Sequence, residues 1–269
     1  MEMLKALLLG FIQGATEFLP VSSSGHLVIG AHLLDFSQQS LLFDIMLHLG
    51  TLVSVMVVFR HDIGKMIAAP WRWLQGVRSA EVRRFLLWDG CILVATMPAV
   101  LVGLTLKDQV EHLFSSILAV CLMLIVTGVL MLVSRRLVDR GNELTGWRAL
   151  IIGVGQAMAI MPGLSRSGTT IVTGMMLGIN RETAARFSFL MSLPAILGAA
   201  VLHVPEALRQ PPPTEHLVNM AAGTLMSAVT GYLAIVLLLD MVRRNRLPWF
   251  GYYCLAVAFI GLAIIVFTS

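Results

Sequence analysis

The sequence predicts an all-α integral membrane protein with about six transmembrane helices and two re-entrant helix-loop-helix hairpins in an inverted-topology repeat. Of its 269 residues, 57% are hydrophobic and only 13% are charged, which gives a mean hydropathy of +0.85. This is more apolar surface than a soluble core of that length can bury. The composition therefore argues against both a disordered chain and an ordinary water-soluble domain.

Six apolar runs are long enough to cross a bilayer as helices, which requires about 20 mostly apolar residues each. They cover residues 40–59, 85–106, 114–134, 184–203, 217–240 and 249–267. Two further apolar stretches, 1–34 and 149–178, are interrupted by Pro, Ser and Gly, so that each half is too short to cross. Irregular backbone at membrane depth is tolerated only where protein buries it or where it lines a wet cavity. We therefore expect both stretches to form re-entrant hairpins.

The charges of the loops orient the chain. Basic residues are concentrated in loops 60–84, 135–148 and 241–248, whereas the alternate loops, 107–113 and 204–216, carry one each. By the positive-inside rule the three basic loops are cytoplasmic, and six alternating crossings separate the two sets of loops. The basic residues that give the net charge of +4 thus lie mainly in the loops and set the orientation of the chain in the membrane. Because the basic residues form no single face or tail, we expect no nucleic-acid partner.

An internal repeat relates the two broken hairpins. Identical residues recur at a shift of 143 positions: Gln13 and Gln156, Ser24 and Ser167, Gly25 and Gly168. Repeat A (1–134) and repeat B (149–267) each contain one hairpin followed by three spans, and an odd number of spans inverts the second copy. Inverted repeats bring their broken hairpins together near the midplane, where such folds bind substrates and ions. We expect one membrane domain, 1–269, with a single site built from both hairpins.

The first hairpin carries candidate metal ligands before its break. It reads QGATEFLPVSSSGH from Gln13 to His26. If the helix extends to residue 17, Gln13 and Glu17 lie at i and i+4 on one face. A carboxylate and an amide oxygen suit a hard divalent cation such as Mg²⁺ or Ca²⁺. A glutamate at membrane depth is usually paired, metal-bound or hydrated, so the structural alternative is that Glu17 caps loop amides or pairs with Arg166.

Three serines after Pro20 mark the start of the second half of this hairpin. Such a helix N-terminus presents free amides and binds anions. His26 follows Ser23 by three residues, so its imidazole is placed to reach the Ser23 hydroxyl or a bound substrate as a general base. The alternative is that the serines cap the helix and that the histidine makes a structural hydrogen bond.

The second hairpin reads PGLSRSGTT from Pro162 to Thr170. Arg166 stays charged at any relevant pH, and its planar guanidinium matches phosphate oxygens in a bidentate fashion. The candidate phosphate-binding hydroxyls around it belong to Ser165, Ser167 and Thr170. The alternative is that these hydroxyls only solvate the broken backbone. Asp44 and His48 also share a helix face, but they are left outside the core site as residues that satisfy each other or support it.

These motifs resemble a known family. EFLPVSSSGH and PGLSRSGTT, with QGATE before the first and NRETAARFSFL after the second, resemble the undecaprenyl-diphosphate phosphatases of the bacitracin-resistance type. The similarity covers essentially the whole chain. It implies a multi-pass enzyme of the bacterial inner membrane that removes the terminal phosphate of undecaprenyl diphosphate at the outer face with a divalent cation. That reaction recycles the carrier lipid for peptidoglycan synthesis and confers bacitracin resistance.

The resemblance also implies roles for individual residues. Its (Glu/Gln)xxxGlu motif falls on Gln13 and Glu17, and its other motif residues are Ser23, His26, Ser165, Arg166 and Thr170. The amide at position 13 brings one negative charge fewer than a carboxylate, so either the metal affinity is lower or the cation depends more on the diphosphate itself. Either Ser23 attacks phosphorus with His26 as its base, or His26 or Glu17 activates a water. The sequence leaves both routes open.

A transporter or flippase of a phosphorylated lipid is the alternative function. Inverted repeats with broken hairpins are transporter architecture, and the same charges serve to bind a lipid phosphate without hydrolysis. A transporter needs no nucleophile, so the pairing of Ser23 with His26 favours an enzyme. The expected partners are a polyprenyl diphosphate lipid and the bilayer, and the sequence leaves a homo-oligomer open.

Overall fold

The structure, a computed structural model, describes residues 1–34, 36, 40–105, 116–209 and 213–268. Within these ranges the chain forms eleven α-helices and no β-strand, which confirms the all-α class. In chain order the helices are α1 (Glu2–Phe18), α2 (Ser23–Leu34), α3 (Leu41–Val58), α4 (Arg60–Leu74), α5 (Ala80–Thr105), α6 (Ile117–Val133), α7 (Gly146–Met158), α8 (Arg166–Met176), α9 (Arg181–Arg209), α10 (Thr214–Arg243) and α11 (Pro248–Thr268).

Six helices of the described chain are long and apolar enough to cross a membrane: α3, α5, α6, α9, α10 and α11. Each coincides with one apolar run of the sequence, so the predicted number of spans is confirmed. α5 begins at Ala80, before the predicted residue 85, because its charged first turn continues the helix beyond the apolar run. The predicted loop 107–113 lies outside the described residues.

The predicted loop 60–84 contains a helix, α4. Ala69 on its inner face is buried and packs with Val82 and Phe85 of α5, while the basic Arg72 on its outer face is exposed. The loop assignment was therefore wrong over α4. A basic amphipathic helix that lies beside a bundle lacks the long apolar run by which the spans were recognised.

Both interrupted stretches form a helix, a break and a second helix. α1 and α2 flank residues 19–22, and α7 and α8 flank residues 159–165. Each break contains one left-handed residue, Ser22 with φ of +69° and Gly163 with φ of +91°. A side chain at Gly163 would also overlap the carbonyl of Val120 on α6, so this position needs glycine for two reasons. The re-entrant path of the two helix pairs through a membrane stays a prediction.

The helix contacts form two matching sets. α1 packs along α10 as α7 packs along α5, and α3 contacts α10 as α9 contacts α5. The pairs α3 with α9 and α6 with α11 each join equivalent helices of the two halves. This is the pattern that a two-fold related repeat produces, and it supports the proposed repeat.

Small residues permit the closest helix contacts. A Cβ atom at Gly10 of α1 would overlap the backbone of Gly223 on α10. Likewise, a Cβ atom at Gly153 of α7 would overlap the backbone of Ala95 on α5. Since Gly10 and Gly153 are 143 positions apart, both halves use one device, in which small residues let helices meet backbone to backbone. These contacts hold each hairpin against a spanning helix.

The three basic loops lie at one end of the bundle. Hydrogen bonds join each of them to residues 180–186: Arg186 to Asp62 at 3.2 Å, Asn180 to Asp139 at 2.7 Å, and Arg243 to Glu182 at 2.8 Å. A single face that carries all three basic loops is what the positive-inside rule requires. The assignment of this face to the cytoplasm stays a prediction.

Candidate active site

Glu17 is the centre of a polar cluster that both hairpins form. Its carboxylate is buried in the last turn of α1, with only 8% of the residue exposed. Ser23 Oγ donates to Oε2 at 2.6 Å, and Gln13 Nε2 donates to the same oxygen at 3.0 Å. Arg166 Nη2 of the second hairpin donates to Oε1 at 2.5 Å. The structure thus brings together Gln13, Glu17, Ser23 and Arg166.

Local sequence and core packing fix the position of Glu17. α1 ends at Phe18 because Leu19, which precedes Pro20, is extended with ψ of 142° and cannot continue the helix. The Phe18 ring is fully buried and meets Phe189 of α9 edge to face, with ring centroids 5.6 Å apart. This aromatic contact anchors the end of α1 beside the break.

His48 of α3 also faces Glu17, although the sequence interpretation left it outside the core site. Its Nε2 lies 3.6 Å from Glu17 Oε2, and its Nδ1 lies 2.7 Å from the carbonyl oxygen of Asp44. Because a carbonyl only accepts hydrogen bonds, Nδ1 donates there and Nε2 is the nitrogen turned towards the carboxylate. The sequence signal for His48 was its i, i+4 pairing with Asp44 within a predicted span. The approach of α3 to the end of α1 was not encoded in that spacing.

Arg166 is the first residue of α8 and retains a free donor. Ser165 Oγ caps the helix by accepting from the amide of Gly168 at 3.2 Å, and the Ser165 amide donates to Thr127 Oγ1 at 3.0 Å. One side of the guanidinium binds Glu17, whereas Nη1 is buried with no hydrogen-bond partner in the described chain. That nitrogen is available to an additional anionic oxygen, such as that of a phosphate.

The other predicted phosphate-binding hydroxyls are engaged by protein groups. Ser167 Oγ lies 3.2 Å from Ser165 Oγ and donates to the carbonyl of Leu19 at 3.3 Å, which joins the two breaks. Thr170 Oγ1 donates to the carbonyl of Arg166 at 2.8 Å and lies 2.6 Å from Ser188 Oγ. These contacts are the ones expected if the hydroxyls only solvate the broken backbone. A role of the hydroxyls in phosphate binding stays a prediction.

His26 is directed away from Ser23. Its Nδ1 lies 2.8 Å from the carbonyl oxygen of Ser22, and its Nε2 lies 2.7 Å from the hydroxyl of Tyr253 on α11. No hydrogen bond joins His26 to Ser23 within the described chain, because the Ser23 hydroxyl donates to Glu17. The role of His26 as general base stays a prediction. Tyr253 had no sequence signal, since it lies in the last apolar span, far along the chain from both hairpin motifs.

The donor set near Glu17 fits a divalent cation. Gln13 Oε1 is buried without a hydrogen-bond partner in the described chain, one helical turn before the Glu17 carboxylate. No group of three or more His, Cys, Asp or Glu residues placed to hold a metal occurs among the described residues. Two protein oxygens suit Mg²⁺, which keeps several waters and takes its other ligands from substrate phosphates.

The family described as "Bacitracin resistance protein BacA" matches residues 6–260 of this chain. The chain belongs to this family. The matched residues include both broken hairpins and every residue of the Glu17 cluster, so the family shown by this match is the one that the motifs resemble.

Curated relatives that bear the name undecaprenyl-diphosphatase are similar over nearly the whole chain. The protein of Syntrophotalea carbinolica is 45% identical over 259 residues, which are 94% of this chain and 95% of that relative. The protein of Rubrobacter xylanophilus is 43% identical and that of Halothermothrix orenii 40% identical, with at least 98% of each chain covered. Both comparisons support the same family.

Proposed function

We propose that this chain hydrolyses undecaprenyl diphosphate to undecaprenyl phosphate and inorganic phosphate, the activity named for its relatives. The observation that carries the proposal is the Glu17 carboxylate, bonded to Ser23 of its own hairpin and to Arg166 of the other. A hydroxyl nucleophile, a proton acceptor and a permanent cation thus lie in one buried cluster. Phosphoryl transfer depends on such positioning and on charge stabilisation.

The hydrogen bond from Ser23 to Glu17 orients the hydroxyl for proton transfer. In the proposed first step, Ser23 Oγ bonds to the terminal phosphorus, and its proton passes to Glu17. The bridging P–O bond breaks with its electron pair on undecaprenyl phosphate. Water then hydrolyses the phosphoserine, which releases inorganic phosphate and restores the hydroxyl. The other route, in which His26 or Glu17 activates a water, forms no phosphoserine.

Charge stabilisation is assigned to Arg166 and to a divalent cation. The Glu17 contact holds the guanidinium in place, while the free Nη1 faces the position we propose for a phosphate oxygen. Gln13 Oε1 and the Glu17 carboxylate would hold Mg²⁺ or Ca²⁺. The cation supplies positive charge to the diphosphate oxygens.

The proposed setting is the bacterial plasma membrane, where the reaction recycles the carrier lipid for peptidoglycan synthesis. The lipid tail would lie between the spanning helices, with the diphosphate at the two breaks. The site would open to the face opposite the basic loops, which is the outer face under the predicted orientation. A flippase would use the same charges but needs no nucleophile. The bond between Ser23 and Glu17 therefore favours hydrolysis.

Phosphate release tests the proposal. The detergent-purified protein is incubated with undecaprenyl diphosphate, with and without EDTA, beside Glu17→Ala, Ser23→Ala and Arg166→Ala. We expect cation-dependent release that all three variants lose. Ser24→Ala is the matched control, since among the described residues the hydroxyl of the neighbouring Ser24 hydrogen-bonds only to Ser22, at 3.3 Å. Wild-type protein that binds the lipid and releases no phosphate with any divalent cation would contradict hydrolysis and favour transport.

Mass spectrometry separates the two hydrolytic routes. A peptide phosphorylated on Ser23 after an acid quench during turnover supports the serine route. Full turnover without this peptide, together with retained activity in Ser23→Ala, supports direct attack by water.

A further inference from the structure

Two groups from opposite halves of the chain hold the His26 ring. Ser22 offers its carbonyl oxygen 2.8 Å from Nδ1, and Tyr253 offers its hydroxyl 2.7 Å from Nε2. The rings of His26 and Tyr253 are nearly parallel, with 15° between their planes and centroids 5.6 Å apart. Ser22 has a left-handed backbone with φ of +69°, which turns its carbonyl towards the imidazole. These contacts fix both the position and the rotation of the ring.

Hydrogen-bond chemistry assigns the protons of His26. A carbonyl oxygen only accepts, so Nδ1 carries the proton and donates it to Ser22. In a neutral imidazole the other nitrogen is then an acceptor, and Nε2 accepts the hydroxyl proton of Tyr253. The opposite tautomer would turn the lone pair of Nδ1 against the lone pairs of the Ser22 carbonyl. The two partners therefore select the tautomer whose basic nitrogen is Nε2.

The Tyr253 hydroxyl also suits the protonated ring. A phenol both donates and accepts, so it can accept from Nε2–H after His26 has gained a proton. Nδ1 continues to donate to Ser22 in that state. One arrangement of atoms therefore serves His26 before and after protonation, as a group that exchanges protons requires.

We propose that Tyr253 is a positioning residue that acts through His26, holding it as the Nδ1-protonated tautomer with Nε2 as the basic nitrogen. The inference rests on the proposed function, in which His26 is a candidate base of the route that activates a water. With this proposal, two residues of the second half of the chain position residues of the first hairpin. Arg166 holds Glu17, and Tyr253 of α11 holds His26.

The tautomer can be measured without any activity. Protein labelled with nitrogen-15 at histidine is examined by NMR in detergent, and the His26 signals are assigned by their loss in His26→Gln. We expect a protonated Nδ1 and an unprotonated Nε2 in the wild type. Tyr253→Phe keeps the ring and removes the hydroxyl, so Nε2 loses the hydrogen bond that it accepts and its signal should shift. With only the Ser22 contact left to select the tautomer, the Nε2-protonated population should rise. An unchanged His26 spectrum in Tyr253→Phe overturns the proposal.

Kinetics then test whether Tyr253 acts through His26. Tyr253→Phe is expected to lower kcat about tenfold and to leave KM within about twofold, as the loss of one hydrogen bond in the reacting state would do. Tyr252→Phe is the matched control, because among the described residues this adjacent tyrosine has no hydrogen bond to His26, and it should retain wild-type kinetics. In a His26→Gln background, Tyr253→Phe should cause no further loss. An equal loss in both backgrounds overturns the proposal.

The two proposals fail in different ways. A wild-type protein that releases no phosphate contradicts the proposed function, while the NMR spectrum still decides whether Tyr253 sets the tautomer of His26. Phosphate release that Tyr253→Phe leaves unchanged, with a wild-type His26 spectrum, contradicts only the role of Tyr253.

Discussion

The two broken hairpins share a plan but divide the chemistry between them. Residues 143 positions apart are identical at Gln13 and Gln156, Ser22 and Ser165, Ser24 and Ser167, and Gly25 and Gly168. The candidate catalytic positions differ: Glu17 corresponds to Ile160, Ser23 to Arg166, and His26 to Thr169. The shared residues build the break, and the differing residues carry the charges. Neither hairpin contains the whole cluster, so the site exists only where the two meet.

The two glutamines at equivalent positions, Gln13 and Gln156, differ in their hydrogen-bond partners. Gln13 is buried and donates to Glu17, whereas Gln156 is equally buried and neither of its amide atoms has a hydrogen-bond partner in the described chain. The position equivalent to Glu17 is Ile160, which has no acceptor side chain. The two positions therefore carry the same residue, and the side chain one helical turn later decides whether that residue has a partner.

Loss of the Glu17 carboxylate gives the largest expected effect, and a carboxylate placed in the other hairpin should not replace it. Glu17→Gln should lower kcat/KM by about a thousandfold, because it removes the negative charge that faces Arg166 and the carboxylate that accepts the Ser23 proton. Adding Ile160→Glu to Glu17→Ile should restore nothing, whereas Ile160→Val alone should retain activity. Phosphate release measures all four variants. Recovery in the exchanged variant would contradict the division of roles.

Arg166→Lys tests the cation of the second hairpin. Lysine keeps the charge but lacks the planar fork, so it cannot bind Glu17 and a phosphate oxygen in the same way. We expect kcat/KM to fall about a hundredfold. Arg244→Lys, at an exposed position of the basic end, is the control that should retain activity. Near wild-type rates in Arg166→Lys would show that the site needs only a point charge.

Carboxylates at the two equivalent glutamines should act differently. Gln13→Glu adds a charge beside Glu17 and should lower the half-saturating Mg²⁺ concentration about tenfold. For Gln156→Glu, the position equivalent to Glu17 is Ile160, so this variant should leave the Mg²⁺ dependence unchanged and lower the Tm, since it buries a charge where the amide has no hydrogen-bond partner among the described residues. Titration of phosphate release with Mg²⁺ compares the two. Equal shifts would place the cation outside the first hairpin.

Removal of the unpaired amide should have the smallest effect. Gln156→Leu replaces a buried polar group that lacks a partner, and the free energy of unfolding should stay the same or rise by about 1 kcal/mol. Thermal unfolding in detergent measures this change, and phosphate release should stay at the wild-type rate. A loss of activity in the folded variant would assign Gln156 to the site.

Local pattern determined the spans, the breaks and the first contacts within each hairpin. The length of an apolar run indicates a membrane crossing. Pro20 ends α1 whatever the tertiary contacts of that helix are. The i, i+4 spacing placed Gln13 beside Glu17, which the structure confirms at 3.0 Å. α4 was missed because charged residues interrupt its apolar ones and its 15 residues are too few to cross a bilayer. In each case the deciding pattern lies within one continuous stretch of sequence.

Only the tertiary structure decided which polar groups meet across the chain. Arg166 and Glu17 are 149 residues apart, and His26 and Tyr253 are 227 apart. Spacing suggested that Ser23 pairs with His26, but in the structure Ser23 forms a hydrogen bond with Glu17 and His26 forms one with Tyr253. A helix satisfies its own backbone hydrogen bonds, so its sequence does not specify which neighbour its polar side chains contact. That choice follows from how the helices pack, which brings the ends of distant helices to one point.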